Sequence, residues 1–249
     1  MLTLVIKGAI AFVTGGAQGL GLSIACYLAE NGATVIVADR NADALDSLPK
    51  NLEGVLMDVT HPDQVGVEVA KVVNHHGRLD ILVNNAGVIY SEPFVNLMNP
   101  DGIMHDYDRF RESIRVNLDS VFIVTAAVVE QMIKLRTKGV IINISSISAC
   151  GNEGQTAYSA AKGGVNAMTI TWSKELGRWG IRCNAISPGF IGTDSTRKAL
   201  NETNIKHITD NTPLRRLGDA VEIAQAVHSV IENNFINGVV LEVTGGLRI

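Results

Sequence analysis

Val13-Thr14-Gly15-Gly16-Ala17-Gln18-Gly19-Leu20-Gly21 joins a short apolar run, Ala9–Val13, to a helix-length segment, Leu20–Asn31. Glycines let a backbone turn tightly and approach a diphosphate, and a helix N-terminus offers free N–H groups and a partial positive charge. A glycine-rich turn alone is often only a tight connection; set between a strand and a helix it points to a phosphate cradle. The next apolar run, Thr34–Ala38, ends at Asp39, about where an acid meets an adenosine ribose in such a unit. A carboxylate there accepts bonds from both ribose hydroxyls and repels a 2′-phosphate, which favours NAD(H). Arg40 is the contrary signal, a cation able to hold that phosphate, so NADP(H) stays open. Asp39 also stands where it could cap a helix over Asn41–Leu48.

Outward from this unit the same rhythm repeats. Further strands are expected at Val55–Met57, Ile81–Val83, Val140–Ile144, Ile181–Ile186 and Val239–Val243. Helices are expected at Pro62–His76, Tyr107–Arg136, Ala157–Trp179 and Ala220–Asn233, with Gly32 and Gly77 placed as helix stops. Nearly continuous apolar strands suit a sheet covered on both faces, and strands joined by helices require right-handed crossovers. The expectation is one Rossmann-type, doubly wound α/β domain over residues 1–249, with about seven parallel strands. Ligands bind such sheets outside the carboxyl ends of the strands, so the loops after the strands are where chemistry belongs.

Composition sets the outer bounds. A chain of 249 residues, 46% hydrophobic and 18% charged, is globular rather than disordered. The net charge of −4 argues against a general binder of nucleic acid or anionic membrane. Cys26, Cys150 and Cys183 are sparse and unclustered, which suits a reducing compartment and small core fillers. The six histidines form no metal-binding spacing, His75-His76 reads as a helix end, and no metal is expected. Met1–Gly8 is too short for a signal peptide, and the apolar stretch Ser120–Ile133, interrupted by Thr125, Glu130 and Gln131, is too short to span a bilayer. A cytoplasmic protein with neither membrane nor nucleic-acid partners is the expectation.

Three motifs occur in order: Thr14–Gly21, Asn84-Asn85-Ala86-Gly87 and Tyr158-Ser159-Ala160-Ala161-Lys162. Asn184-Ala185-Ile186-Ser187-Pro188-Gly189 and Thr244-Gly245-Gly246 follow. Together they resemble the short-chain dehydrogenase/reductase family over essentially the whole chain, above all its oxoacyl-carrier-protein reductase and hydroxysteroid or polyol dehydrogenase members. The chemistry can be judged from the residues as well. Tyr158 and Lys162 lie one helical turn apart on one face. A phenol with a pKa of about 10 is a poor base at neutral pH, and a nearby cation lowers that value. Tyr158 could then take a proton from an alcohol, or give one to a carbonyl, while hydride moves to or from a nicotinamide.

The resemblance adds further roles. It implies that Asn117, in Arg-Val-Asn-Leu-Asp, holds a water linking Lys162 to solvent, and that a serine after the fifth strand steadies the substrate oxygen. Alignment from the strand selects Ser146, and the family's commonest spacing back from Tyr158 selects Ser145. Adjacent residues face opposite ways, and the loop Ile147–Ala157 loses a residue more easily than the strand slips its register, so Ser146 is chosen. For the dinucleotide the resemblance implies Gly15, Gln18, Gly19, Leu20 and Gly21, with Asp39 and Arg40 at the ribose and Asp58 and Val59 at the adenine. Asn85, Ala86 and Gly87 pack against the ribose, Tyr158 and Lys162 also bind the dinucleotide, with Lys162 a ribose ligand, and Pro188, Gly189, Ile191 and Thr193 lie near the carboxamide. Gln18 stands where NADP(H)-preferring relatives often place a basic residue.

Two segments depart from the pattern or vary within it. Tyr90–Asp106 carries extra length after the fourth strand and either borders the substrate pocket or is a surface or oligomer element. Asp194–Leu217 resembles a substrate lid, mixing Leu200, Ile205 and Ile208 with Lys198, Lys206, His207, Arg215 and Arg216. Trp179 precedes Gly180, and Arg178 sits one place before the position where carrier-protein reductases tend to keep a basic residue, which weakens a carrier-protein substrate. The family's pairing of long helices implies a homotetramer. The leading expectation is an NAD(H)-dependent oxidoreductase interconverting a secondary alcohol and a ketone. The alternatives are an NADPH-dependent 3-oxoacyl-thioester reductase and, from another class, a non-catalytic dinucleotide-sensing or scaffold protein.

Overall fold

A computed structural model of the chain describes residues 4–100, 102–193, 196 and 201–249. The strands are β1 (Ile10–Thr14), β2 (Thr34–Asp39), β3 (Leu52–Leu56), β4 (Ile81–Asn84), β5 (Gly139–Ile144), β6 (Ile181–Pro188) and β7 (Val240–Val243). The helices are α1 (Gly19–Glu30), α2 (Ala42–Asp46), α3 (Pro62–His76), α4 (Tyr107–Ile114), α5 (Ser120–Lys134), α6 (Thr156–Leu176), α7 (Glu202–Asn211) and α8 (Ala220–Glu232). The strands form one seven-stranded sheet in the order β3-β2-β1-β4-β5-β6-β7, and every neighbouring pair is parallel. This is the expected Rossmann-type α/β fold. The order reverses direction between β1 and β4, which makes their carboxyl ends the switch point where a ligand can enter.

Alternate residues of each central strand feed two cores. Val13, Val35 and Ile142 pack with Ile24 and Leu28 of α1 and Ile223, Val227 and Ile231 of α8. Phe12, Ile36, Leu82 and Ile141 pack on the other face with Val65 and Val69 of α3 and Val124 and Val128 of α5. Covering both faces is why the strands read as unbroken apolar runs rather than alternating ones.

Several local expectations are corrected. β3 begins at Leu52, three residues before the expected Val55; it is an edge strand, and exposed Glu53 and Gly54 hide it from an apolar search. The side chain that caps α2 is Asn41, accepting from Ala44 N at 3.2 Å, not Asp39. Cys183 is buried, but Cys150 is exposed rather than a core filler. The helix expected over Tyr107–Arg136 runs continuously from Tyr107 to Lys134 but carries a π-helical turn, Arg115–Asp119, between α4 and α5. Tyr107–Lys134 as a whole, 28 residues, is long and apolar enough to cross a membrane by length and composition, unlike the shorter stretch considered from sequence. Here Val121, Val124, Val128 and Met132 of this helix are buried.

Candidate active site

The loop between β1 and α1 owes its shape to three glycines that do different work. A Cβ on Gly15 would stand 2.8 Å from the Ala86 Cα, and one on Gly21 would stand 2.3 Å from the Gly15 carbonyl and 2.4 Å from Asn85 Nδ2. These two glycines let the loop, α1 and the β4 end close on one another. Gly19, at φ +55°, has open space beside it. The α1 N-cap residue, Gln18, makes no side-chain capping bond, and the first turn holds no acid. The amides and the positive end of α1 are therefore left to an anion, which fits a dinucleotide diphosphate. Gly21→Ala is expected to destabilise the fold by about 1–3 kcal/mol and to abolish measurable dinucleotide binding. Gly66→Ala, in α3 with nothing within 4 Å of the added carbon, is expected to leave binding intact and stabilise by up to about 1 kcal/mol. Thermal unfolding with a dinucleotide titration reads both.

Asn85, expected against the ribose, uses its side chain to brace the glycine loop. Its Nδ2 donates to the Thr14 carbonyl at 3.1 Å and the Gly15 carbonyl at 2.9 Å, so it holds the glycine loop in place. Thr14, which the sequence reading passed over, accepts from the Asn85 and Ala86 amides through its hydroxyl at 3.1 and 3.2 Å. Its place at the head of the glycine motif was the available signal.

Asp39 ends β2, nearly buried, and its carboxylate accepts from Ala17 N at 3.2 Å and Asn41 N at 3.1 Å. The negative charge is thus fixed beside the glycine loop, while Arg40 is exposed. Asp58, after β3, accepts from the Thr60 amide at 2.9 Å and hydroxyl at 2.7 Å. Burial pushes its carboxyl up, but those bonds, with His61 and Arg115 nearby, hold it below the usual carboxylate range. Val59 is buried beside it.

The acid–base group gathers where β5 meets α6. Tyr158 and Lys162 are both buried, and the Lys162 Nζ lies 5.7 Å from the Tyr158 ring centre. Ser146 opens a short 3₁₀ turn, Ile147–Cys150, accepting from Ser148 N at 3.1 Å. Its hydroxyl also faces the Tyr158 phenol, whose ionised form it favours. Ser145 turns away: its hydroxyl donates to the Lys162 carbonyl at 3.4 Å and its amide to Ile186 O at 2.7 Å. Burial pushes the Tyr158 phenol above its ordinary value, and Ser146 opposes that in part. Burial also brings Lys162 from 10.5 down to about 8. The sequence reading had Lys162 lowering the phenol; here desolvation dominates both groups, and no such pull from the lysine is seen.

Lys162 donates to the Ile144 carbonyl at 2.8 Å, its one acceptor among the described residues, so two of its three N–H groups remain for a ribose. Asn117 sits in the π turn, fully buried. Its Oδ1 accepts from Val88 N at 3.1 Å, and its Nδ2 donates to Val88 O at 2.9 Å and Ser113 O at 3.0 Å. A Cβ on Gly87 would stand 2.7 Å from that Oδ1 and 3.7 Å from Lys162 Nζ. Asn117 therefore clamps the loop after β4 against the lysine.

Pro188 ends β6 and Gly189 follows it, and a Cβ on Gly189 would meet Thr244 Cα at 2.9 Å, which joins the PG turn to the C-terminal Thr-Gly-Gly. Ile191 bridges to Gly218, and Thr193 lies beside Thr196, hydroxyl to hydroxyl at 3.0 Å. Of the lid, Lys198 and Leu200 fall outside the described residues. Within it Lys206 pairs with Asp210 at 2.7 Å, and Arg216 binds Glu222 through two bonds of 2.8 and 2.6 Å. Those bonds, together with one from the Asp219 amide, take Glu222 to about 2.

Arg178 stacks on the Trp179 ring at 5.5 Å and, with Arg136 and Lys138, lines a cavity of about 400 Å³ at the amino ends of β5 and β6. Glu53, His75 and His76 bring possible metal-ligand atoms within 4.8 Å of one another, an arrangement the sequence reading did not foresee. They too lie away from the carboxyl ends of the strands.

The short chain dehydrogenase family pattern matches residues 9–204. The 3-oxoacyl-[acyl-carrier-protein] reductase of Thermotoga maritima is 41% identical over 254 residues, covering 98% of this chain and 99% of that protein. The enzyme of the same name from Escherichia coli is 36% identical over 247 residues, covering 97% and 98%. The crystal structure of gox2181 superposes with a TM-score of 0.87 at 31% identity, covering 98% of this chain and 96% of that one. With the parallel sheet, the glycine cradle and the Ser146–Tyr158–Lys162 cluster already in place, these likenesses settle the family: the chain belongs to the short-chain dehydrogenases, oxidoreductases that act on CH–OH groups with a nicotinamide dinucleotide.

Proposed function

We propose that the protein reduces 3-oxoacyl thioesters to 3-hydroxyacyl thioesters. The observation that carries this reading is the likeness, end to end and at 36–41% identity, to proteins named 3-oxoacyl-[acyl-carrier-protein] reductase. It moves the substrate from the general secondary alcohol to the narrower alternative weighed from the sequence. A 3-oxo group is still a ketone, so the acid–base chemistry is the same.

The residues support that direction of reaction. The dinucleotide, when bound, supplies or accepts hydride at its nicotinamide ring. Gly15–Gly21 and the α1 amides would hold its diphosphate, Asp39 and Asp58 its adenosine end, and Lys162 its nicotinamide-side ribose. Tyr158 is held protonated by burial and so is poised to give its proton to a ketone oxygen. The Ser146 hydroxyl lies beside that of Tyr158, and the two can grip one substrate oxygen and steady the charge that develops on it. Lys162, charged below its pKa of about 8, would grip the nicotinamide-side ribose through the two N–H groups that its bond to the Ile144 carbonyl leaves free. Asn117 fixes the loop at Gly87 and would support proton resupply. Exposed Phe122 on α5 and Ile170 on α6 offer apolar surface for the homotetramer, whose mass light scattering would read.

For the cofactor we propose NAD(H). Asp39 is anchored by two backbone amides, so its charge cannot swing away from a 2′-phosphate. Wild-type protein is expected to favour NADH over NADPH by at least about tenfold in kcat/KM, and Asp39→Ala to shrink that ratio by about tenfold or more, mainly through the KM for NADPH. A wild-type preference for NADPH would assign the pocket to Arg40 instead. The substrate is tested by comparing 3-oxoacyl thioesters with simple ketones, polyols and hydroxysteroids. Turnover confined to non-thioester substrates would return the function to the broader alcohol–ketone reading.

A further inference from the structure

The extra segment after β4 folds as a small hairpin. Val95 and Met104 form an antiparallel bridge, Asn96 N donates to Ile103 O at 2.7 Å, and His105 N donates to Phe94 O at 3.0 Å. Its tip is a turn in which Asn96 Oδ1 accepts from Met98 N at 3.1 Å. Its root is pinned firmly. Glu92 N donates to Gly154 O at 2.7 Å and Gln155 Nε2 donates to Ser91 Oγ at 3.1 Å, both partners lying in the loop that leads into Tyr158. Glu92 Oε2 accepts from the Tyr90 hydroxyl at 2.8 Å and Asp106 N at 3.1 Å, and Arg109 donates to that same hydroxyl at 3.1 Å. The strand leading in leaves directly from Gly87 and Val88, which Asn117 clamps beside Lys162. The hairpin therefore rises from the rim of the acid–base site on a rigid root.

Its surface is unusual for a solvated hairpin, which should be polar on at least one face. Residues alternate sides, so Phe94 and Ile103 share one face and Val95, Leu97 and Met104 the other. All five are about half exposed or more, with Leu97 at 77%, and Met98 at the tip is 89% exposed. Ile89, on the path from the site, is 70% exposed. Between Pro93 and His105 the sequence has one acid, Asp101, and no lysine or arginine. That composition gives no hold on an anionic membrane or a nucleic acid, and it suits an uncharged hydrocarbon.

We propose that this hairpin is the binding wall for the acyl chain of the substrate, and that it makes the enzyme select long-chain over short-chain 3-oxoacyl thioesters. The proposal rests on the thioester reading given above. Two flexible methionines among the contacts let one surface accept chains of different lengths. The test is kcat/KM for 3-oxobutanoyl and 3-oxododecanoyl pantetheine thioesters in the wild type, in Leu97→Ser/Met98→Ser and in Phe94→Ser, with melting temperature and mass by light scattering recorded for each. Wild type is expected to prefer the longer chain, and the tip variant to lose about tenfold or more of that preference through KM. A long-to-short ratio that stays within about twofold in both variants overturns the proposal, and a fall in assembled mass alongside it would give the surface to a second copy of the chain. Wild-type silence toward both thioesters, with turnover of another alcohol, would overturn the thioester reading itself.

Discussion

Tyr158→Phe is expected to lower kcat by about a thousandfold while leaving dinucleotide affinity within about threefold of wild type. The substitution removes one oxygen from a buried ring and leaves the packing around it in place. What is lost is the proton that must reach the substrate oxygen as hydride arrives at the carbon. Ser146→Ala is expected to cost about a hundredfold or more, because it removes the second hydroxyl at that oxygen. Ser145→Ala tests the assignment within the pair. Its side chain reaches the Lys162 carbonyl rather than Tyr158, so a loss within about fivefold is expected. Stopped-flow turnover with a parallel fluorescence titration of dinucleotide separates chemistry from binding. A Ser145→Ala loss as large as that of Ser146→Ala would mean that the two serines had been assigned the wrong way round.

Lys162→Met carries the second large effect, with opposite signs for activity and stability. Activity is expected to fall by about a hundredfold or more, through loss of the charged ribose contact that orients the nicotinamide against Tyr158. Stability should rise. The buried amine holds its proton less tightly when folded, with a pKa of about 8 against an ordinary 10.5, so its charge opposes folding at neutral pH. The sign follows from proton counting. Between these two values the unfolded chain binds more protons than the folded one, so wild-type stability climbs as pH rises through about 8 toward 10.5. Below about 8 the full cost is present. Replacing the amine at pH 7 is therefore expected to stabilise by roughly 1–3 kcal/mol, net of the lost bond to Ile144 O, or several degrees in Tm. The same titration shapes catalysis: wild-type kcat/KM for ketone reduction is expected to decline as pH rises through about 8, where Lys162 loses its charge. A variant less stable at pH 7 and a flat pH profile would together remove the electrostatic argument.

The fold was legible because two-sided burial leaves a strong trace. Phe12 and Val13 serve opposite cores, and so do Leu82 and Val83, which makes their strands continuous apolar runs. Edge strand β3 kept polar residues and was found only in part. Spacing brought Tyr158 and Lys162 together correctly, since a helical turn is rigid geometry. It could not report the dielectric around them, so the raised phenol and depressed lysine emerge only once burial is known. The π turn at Asn117 was invisible for a related reason: Arg-Val-Asn-Leu-Asp is compatible with ordinary helix, and the turn goes with a clamp on Val88, a residue distant in sequence. The hold of Asn85 on the Thr14 and Gly15 carbonyls was not legible either, because motif position does not say which way an amide points. The Pro93–His105 hairpin shows few strand signals, and the anchoring at Glu92 depends on contacts with residues distant in sequence.

The central claim is tested most directly by mixing purified protein with reduced dinucleotide and a 3-oxoacyl pantetheine thioester, and following nicotinamide absorbance and product together. The expected result is one 3-hydroxyacyl thioester formed for each reduced dinucleotide consumed, with no turnover in Tyr158→Phe. Dinucleotide binding without any consumption, or equal turnover in Tyr158→Phe, would contradict it.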